Sequence, residues 1–321
     1  MGLLINRHHA AALSLAVALG CTSAPVFAGT ADILWRNTET GANVIWLGGN
    51  YATTKPVPRV ANQDWQVAGT LLSPFNGITS VIWRNRADGR VVGWPACEAV
   101  EAFSMATVAK QSWKIAGIGD FDPVTQGHDF LWRDDATGRN VLWRFGPAEM
   151  ARSIATVANP DWHIVGTGDF DGDALADILW RNRATGANAI WSRADAALNI
   201  PIAAVGNLDW EVVGVGDFDG NYADDILWRD RVTGRNALWF NGDTTFAVVL
   251  PTVPKPSWRV VGIGDFDNNG TDDVLWRDGA TGNNVVWPSA DAGMAIGLAS
   301  VTNQAWTVVA VGDFDNYGWG Y

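Results

Sequence analysis

The sequence predicts an all-β fold, a β-propeller of four-stranded blades, on three observations: a Trp-anchored repeat, several short strand-like segments inside each repeat, and chain ends that each carry a different part of one unit. Eighteen of the nineteen Trp fall into three sets of six, spaced by 48 or 49 residues. The first set is Trp35, Trp83, Trp132, Trp180, Trp228 and Trp276; the second is Trp46, Trp94, Trp143, Trp191, Trp239 and Trp287; the third is Trp65, Trp113, Trp162, Trp210, Trp258 and Trp306. Only Trp319 is left over. A period of this length belongs to arrays whose units bury their apolar faces against one another.

The order of elements within a unit is legible in residues 161–191, DWHIVGTGDFDGDALADILWRNRATGANAIW. His163 to Phe170 alternates apolar residues with Gly, as expected of an inner strand crowded against neighbouring backbones, strand A. A nine-residue Asp-rich turn follows. Asp177 to Arg181 then reads as strand B, with Ile178 and Trp180 on one face and Leu179 on the other. Asn182 to Ala187, with Thr185-Gly186, is a hairpin turn into strand C, Asn188 to Trp191. A less regular fourth segment leads to the next Asp-Trp, Asp209-Trp210.

The chain ends predict ring closure. Residues 31–35 (ADILW) supply a strand B without its strand A, and Trp306 to Phe314 supplies a strand A without its strand B. Pairing the two completes a sixth blade and leaves no open edge at the seam. A seven-bladed ring is the alternative, with Asn316 to Tyr321 as a truncated unit.

Residues 1–28 read as a secretory signal: Arg7, His8 and His9 form a basic start, Ala10 to Gly20 an apolar run too short to span a bilayer, and Val26-Phe27-Ala28 a small-residue cleavage site. Residues 29–321 then form the single propeller domain, secreted, extracellular or periplasmic. In the alternative reading Ala18-Leu19-Gly20-Cys21 is an imperfect lipobox and Cys21 a lipid anchor. Removing the signal takes away one Arg and no acid, so the net charge moves from −12 to −13. Such an acidic surface argues against nucleic acid or anionic lipid as partner. Cys97 is left without an intrachain disulfide partner, so stability must come from core burial, ring closure or metal. No second apolar segment has the length of a transmembrane helix, and the expected state is a monomer.

The repeated Gly-Asp-Phe-Asp followed by Asp-Ile-Leu-Trp resembles the FG-GAP and VCBS repeats of integrin α-subunit propellers, a fungal fruit-body lectin and many secreted bacterial proteins. The resemblance covers nearly all of the chain after residue 28. It implies that the Asp-rich turn between strands A and B binds Ca²⁺. Carried over by position, the ligands are Asp169, Asp171, Asp173 and Asp177, with the carbonyl of Leu175. These are the hard oxygen donors that Ca²⁺ takes. Without a cation, carboxylates ~5 Å apart at an effective dielectric of about 20 repel by roughly 3 kcal/mol per pair before screening.

Two further loops keep the pattern with Asn at the fifth position: Asp217, Asp219, Asn221, Ala223 and Asp225, then Asp265, Asp267, Asn269, Thr271 and Asp273. Their neutral amide predicts somewhat weaker sites than the loop with four carboxylates. Asp120 and Asp122 precede Pro123 and Val124, and an extra residue moves the final acid to Asp129, a weaker candidate. Another weaker candidate joins Asp313 and Asp315 to Asp32 from the other chain end, with Tyr317 where an acid or amide is wanted. The second unit offers Leu72, Pro74, Asn76 and Ser80 and predicts no metal. The expected role of Ca²⁺ is structural.

Trp recurring in every unit at a strand position is expected to pack between blades rather than to stack on sugar. The Arg after each strand B (Arg36, Arg84, Arg133, Arg181, Arg229, Arg277) is expected to pair with nearby acids. His128 and His163 lie in no nucleophile motif, and the Asp residues are accounted for by the loops, so the chain is read as non-catalytic. The function expected is recognition or adhesion toward glycan or protein, and the irregular segments Leu71 to Thr79, Pro95 to Met105 and Pro123 to His128 are candidate surfaces. The alternatives are a polysaccharide hydrolase with paired carboxylates and a structural scaffold.

Overall fold

The computed structural model describes residues 30–73, 78–123, 127–144 and 151–315. The signal segment with Cys21, and the readings on Pro74, Asn76, Val124, Tyr317 and Trp319, lie outside the described residues. Six antiparallel four-stranded sheets form a six-bladed propeller. Blade 4 shows the pattern: strand A is Trp162–Gly168, B is Asp177–Asn182, C is Asn188–Trp191 and D is Asn199–Ile202. Blade 5 repeats it with Trp210–Gly216, Asp225–Asp230, Asn236–Trp239 and Ala247–Leu250, and blade 6 with Trp258–Gly264, Asp273–Asp278, Asn284–Trp287 and Ile296–Leu298. Blades 2 and 3 start with strands A at Trp65–Leu72 and Trp113–Gly119.

Blade 1 is made from both ends of the chain. Its strand A is Trp306–Gly312, paired with Asp32–Asn37 as strand B, and Asn43–Trp46 and Thr54–Val57 follow. The register sets Asp32 opposite Gly312 and Asn37 opposite Trp306, as expected of a closing blade. Six blades account for all six sheets, so the seven-bladed alternative is set aside.

The core lies between blades. Phe170, Leu179 and Ile190 of blade 4 meet Ile226, Trp228 and Trp239 of blade 5, while Ile178 and Trp180 face Phe121, Leu131 and Leu142 of blade 3. The period-2 alternation of strand B thus feeds two different interfaces. Close approach of neighbouring inner strands explains the glycines of strand A: a Cβ on Gly166 would fall 2.6 Å from a methyl of Val215 in the next blade. The Thr-Gly hairpins have a separate cause. Gly186 has φ +76°, and a Cβ there would meet the Val205 carbonyl oxygen at 2.0 Å.

The three Trp sets have three environments. Strand-B Trp side chains are fully buried, about 1% exposed in every blade. Each packs on the strand-C Trp of its own blade, with ring centroids 4.9 Å apart for Trp180 and Trp191. The six strand-B indole N–H groups are buried without a hydrogen-bond partner, so this set is core and not a sugar platform. Strand-A Trp are half-buried.

The six Arg do not pair with acids, and that expectation is corrected. Arg181 donates through Nη1 to the Gly186 carbonyl and Asn188 Oδ1, and through Nη2 to the carbonyls of Val205 and Trp210. Its guanidinium lies 4.9 Å from the ring centroid of Trp228 in the next blade. The same contact runs from Arg36 to Trp83, Arg84 to Trp132, Arg133 to Trp180 and Arg229 to Trp276, and Arg277 closes the circuit on Trp35. The ion pairs among the described residues all involve other side chains. A planar cation with a rigid donor fork can satisfy four carbonyl-type acceptors and still stack on a ring, which a point charge cannot do.

Candidate metal centres

The Asp-rich turns all leave the same end of strand A, so the fold places them on one face of the ring. In blade 4 the turn is shaped by its own first residue. Asp169 Oδ1 accepts from the backbone N–H of Gly172 at 2.7 Å and Asp173 at 3.1 Å, and Oδ2 accepts from Ala174 at 2.7 Å. Gly172 and Ala174 take positive φ, 75° and 67°, which explains Gly at the fourth position. Asp217 holds Gly220, Asn221 and Tyr222 in the same way.

The ninth position sits deepest. Asp177, Asp225 and Asp273 are fully buried at 0% exposure, and Asp32 at 1%. Each accepts two backbone N–H groups: Asp177 from Phe170 and Arg193, Asp225 from Phe218 and Asn241, Asp273 from Phe266 and Ser289, Asp32 from Phe314 and Gly48. Burial pushes the carboxyls of Asp32, Asp177 and Asp225 up to about 7 and Asp273 to about 6. The two backbone bonds act against the rise, and the carboxylates at positions 1 and 3 of each loop add to it.

Among the described residues four groups of three carboxylates result: Asp169, Asp171 and Asp177; Asp217, Asp219 and Asp225; Asp265, Asp267 and Asp273; and Asp32, Asp313 and Asp315. Within each group the ligand atoms lie within 4.8 Å of one another. A hard divalent cation fits this donor set: the oxygens are close enough to share one ion, and its charge would offset both the burial and the neighbouring carboxylates that raise the buried acid. The last group draws on both chain ends, so an ion there would join them. Asp120, Asp122 and Asp129 do not form such a group among the described residues; Asp122 pairs with Arg144, and Asp129 accepts from Phe121 N–H.

The fifth position is placed differently from its neighbours. Asp173 points to Arg193 in the turn after strand C, Nε to Oδ2 2.5 Å, and is outside the three-carboxylate group. Asn221 donates to Asn241 at 2.9 Å and Asn269 to Ser289 at 3.2 Å. The pair is electrically neutral in all three blades. The extra charge on which a stronger blade-4 site was expected is therefore cancelled by Arg193. The seventh-position residues Leu175, Ala223 and Thr271 each donate their N–H to the fifth side chain, at 2.9, 2.8 and 2.7 Å.

Sequence reasoning missed Asp224 and Asp272, at the eighth position. Asp224 Oδ2 accepts the N–H of Asp169 in the preceding blade at 2.7 Å while its own N–H donates to the Asp169 carbonyl at 2.5 Å. Asp272 holds Asp217 in the same manner, at 3.0 and 2.7 Å. Burial pushes these carboxyls up to about 6 and about 7. The signal was present as Asp-Asp at 224–225 and 272–273, where blade 4 has Ala176-Asp177. A cavity of about 410 Å³ is lined by Asp120 and His128 of blade 3, Asp169 and Ala176 of blade 4 and Asp224 of blade 5, among others.

Neither a family model nor a curated protein matches this chain. Among solved structures it is similar to a chain of the crystal structure of a nidogen/laminin complex, at 11% sequence identity and TM-score 0.56, over 88% of this chain and 97% of that one. The likeness is one of fold. The FG-GAP/VCBS reading rests on the loop and strand-B motifs themselves.

Proposed function

We propose that the protein is a secreted calcium-binding β-propeller that serves as a non-catalytic recognition or adhesion module for an extracellular protein or a glycan. The observation that carries this reading is the recurrence of one three-carboxylate group on the same face of four blades, built on a ring held together by buried Trp and Arg. Recurrence at equivalent positions is what a structural ion needs; a catalytic site needs one asymmetric place. A protein partner is the class supported by the likeness to a propeller solved within a complex. Export is supported by the N-terminal pattern of residues 1–28, with a lipid anchor at Cys21 as the other route to the same compartment.

The test is thermal unfolding of the chain from Gly29 with excess Ca²⁺ and after chelation, with bound calcium counted by elemental analysis. Three to four ions per chain and a large fall in Tm on chelation are expected. A site at a hundredfold excess of ion over Kd adds about 2.7 kcal/mol. Absence of bound metal together with an unchanged Tm would remove the calcium reading. Glycan arrays and extracellular-protein panels on the calcium-loaded chain then separate the two ligand classes.

A further inference from the structure

Among the described residues every blade ends in an outer strand whose far side has no partner in the sheet, and five of the six are blunted. Blade 1 has Lys55 and Pro56 in Thr54–Val57, and blade 2 has only Phe103–Ser104. Blade 3 has Arg152 in Ala151–Ile154, blade 4 has Pro201 in Asn199–Ile202, and blade 6 has Gly297 in the three-residue Ile296–Leu298. Charge, Pro, Gly and brevity are the devices by which natural sheets keep an edge from pairing. Blade 5 has none of them. Its outer strand is Ala-Val-Val-Leu, Ala247–Leu250. Phe246 is 63% exposed, Val248 43% and Val249 82%.

The charges around this strand select the occupant. Residues 244–254, TTFAVVLPTVP, contain no charge in a chain of net −12, so two copies can approach there without setting acid against acid. The first charges outside the run have opposite signs, Asp243 before it and Lys255 after it, both exposed. Antiparallel pairing of two such edges about a two-fold axis brings Asp243 of each copy toward Lys255 of the other; parallel pairing would set like charges together. Blade 4 supplies the contrast. Its uncharged run 196–208 is also apolar, with Leu198 47% exposed, but it is bounded by Asp195 and Asp209 and broken by Pro201.

We propose that the outer strand of blade 5 is a homodimerisation edge, on which a second copy of this chain adds antiparallel to make a continuous eight-stranded sheet. Four residues of ladder flanked by Phe246 form a small interface, so the dimer is weak, with Kd on the order of 10–100 µM. The monomer expected from sequence is the opposing outcome.

Sedimentation velocity of the calcium-loaded chain from about 1 to about 500 µM tests it, spanning the range of a weak dimer. A concentration-dependent dimer is expected. Val249→Lys, on a largely exposed side chain, should weaken association at least tenfold without changing Tm, while Ile200→Lys on the blade-4 edge should leave it unchanged. Asp243→Lys and Lys255→Asp should each weaken it about threefold to tenfold, and the double exchange should recover it. A monomer throughout the range overturns the proposal, including the case in which the edge serves another partner. Association that Val249→Lys leaves intact, or that Ile200→Lys abolishes equally, overturns it as well.

Discussion

Blades 2 and 5 share a frame and differ in a turn. Both bury a strand-B Trp at 1% exposure, Trp83 and Trp228, and both stack the preceding blade's Arg on it. Blade 5 connects strands A and B through Asp217 to Asp225; blade 2 has Leu72 and Ser80 at the corresponding first and last places. Blade 2 also has Val91 where the other blades place an Asn that accepts from the Arg, as Asn236 does from Arg229. A blade therefore assembles from the Trp–Arg frame alone, and the acid turn is an addition that loads a buried charge onto it. Frame and turn should fail under different conditions.

The largest effect belongs to the frame. Trp228→Ala and Trp83→Ala should each cost about 3–5 kcal/mol, because a fully buried indole leaves a cavity that strand backbones cannot close. The loss should be the same with calcium and with chelator. A much smaller loss in blade 2 than in blade 5 would show that the turn, not the frame, sets blade stability. Next in size is Asp225→Asn, read by Tm under both conditions. With calcium it should destabilise by about 2–3 kcal/mol through loss of one site. With chelator at pH 8 it should be neutral or stabilising, since it removes a buried charge. Ser80→Ala in blade 2 should respond equally in both buffers.

How much of this was legible in the sequence follows from the same division. The frame was legible because it repeats: a Trp needed at every interface appears every 48 or 49 residues, and six copies average out local noise. Ring closure was legible from chain ends that carry complementary strands. The partners of the Arg were not, since the acceptors are mostly carbonyls, such as those of Val205 and Trp210 for Arg181, which carry no side-chain signature. Arg193 was missed because it stands twenty residues from Asp173 and meets it only when the turn after strand C folds over the loop. Asp224 and Asp272 were hidden beside acids already assigned a role, and their contacts are in another blade.

A smaller effect is expected from pH. The ninth-position carboxyls have folded values of about 6 to 7 against an ordinary 3.8. A raised acid contributes stability that is complete below 3.8 and is lost as pH rises through 6 to 7. Metal-stripped protein should therefore show a falling Tm between pH 5 and pH 8. Calcium-saturated protein should show a nearly flat Tm over the same range, because the ion holds these acids ionised in the folded state as they already are in the unfolded chain. Parallel slopes in the two states would mean that these acids do not bind the ion.

The smallest effect sharpens the comparison among the acid turns themselves. Blade 4 has a carboxylate at the fifth position, Asp173, where blade 5 has Asn221, and Arg193 neutralises it across an ion pair that is half exposed on the Arg side. Such a solvent-screened pair contributes little, so Arg193→Ala should barely change Tm with chelator. Its effect on calcium should be larger. Without the guanidinium, Asp173 is free to turn toward Asp169, Asp171 and Asp177, and the local field becomes one charge more negative than in blade 5. Calcium affinity of one site should rise several-fold, measured by competition with a chromophoric chelator, and Asp173→Asn placed on top should return it to the level of the Asn221 and Asn269 loops. An affinity that falls in Arg193→Ala would instead make Arg193 a support that orders the turn for the ion, and its charge secondary.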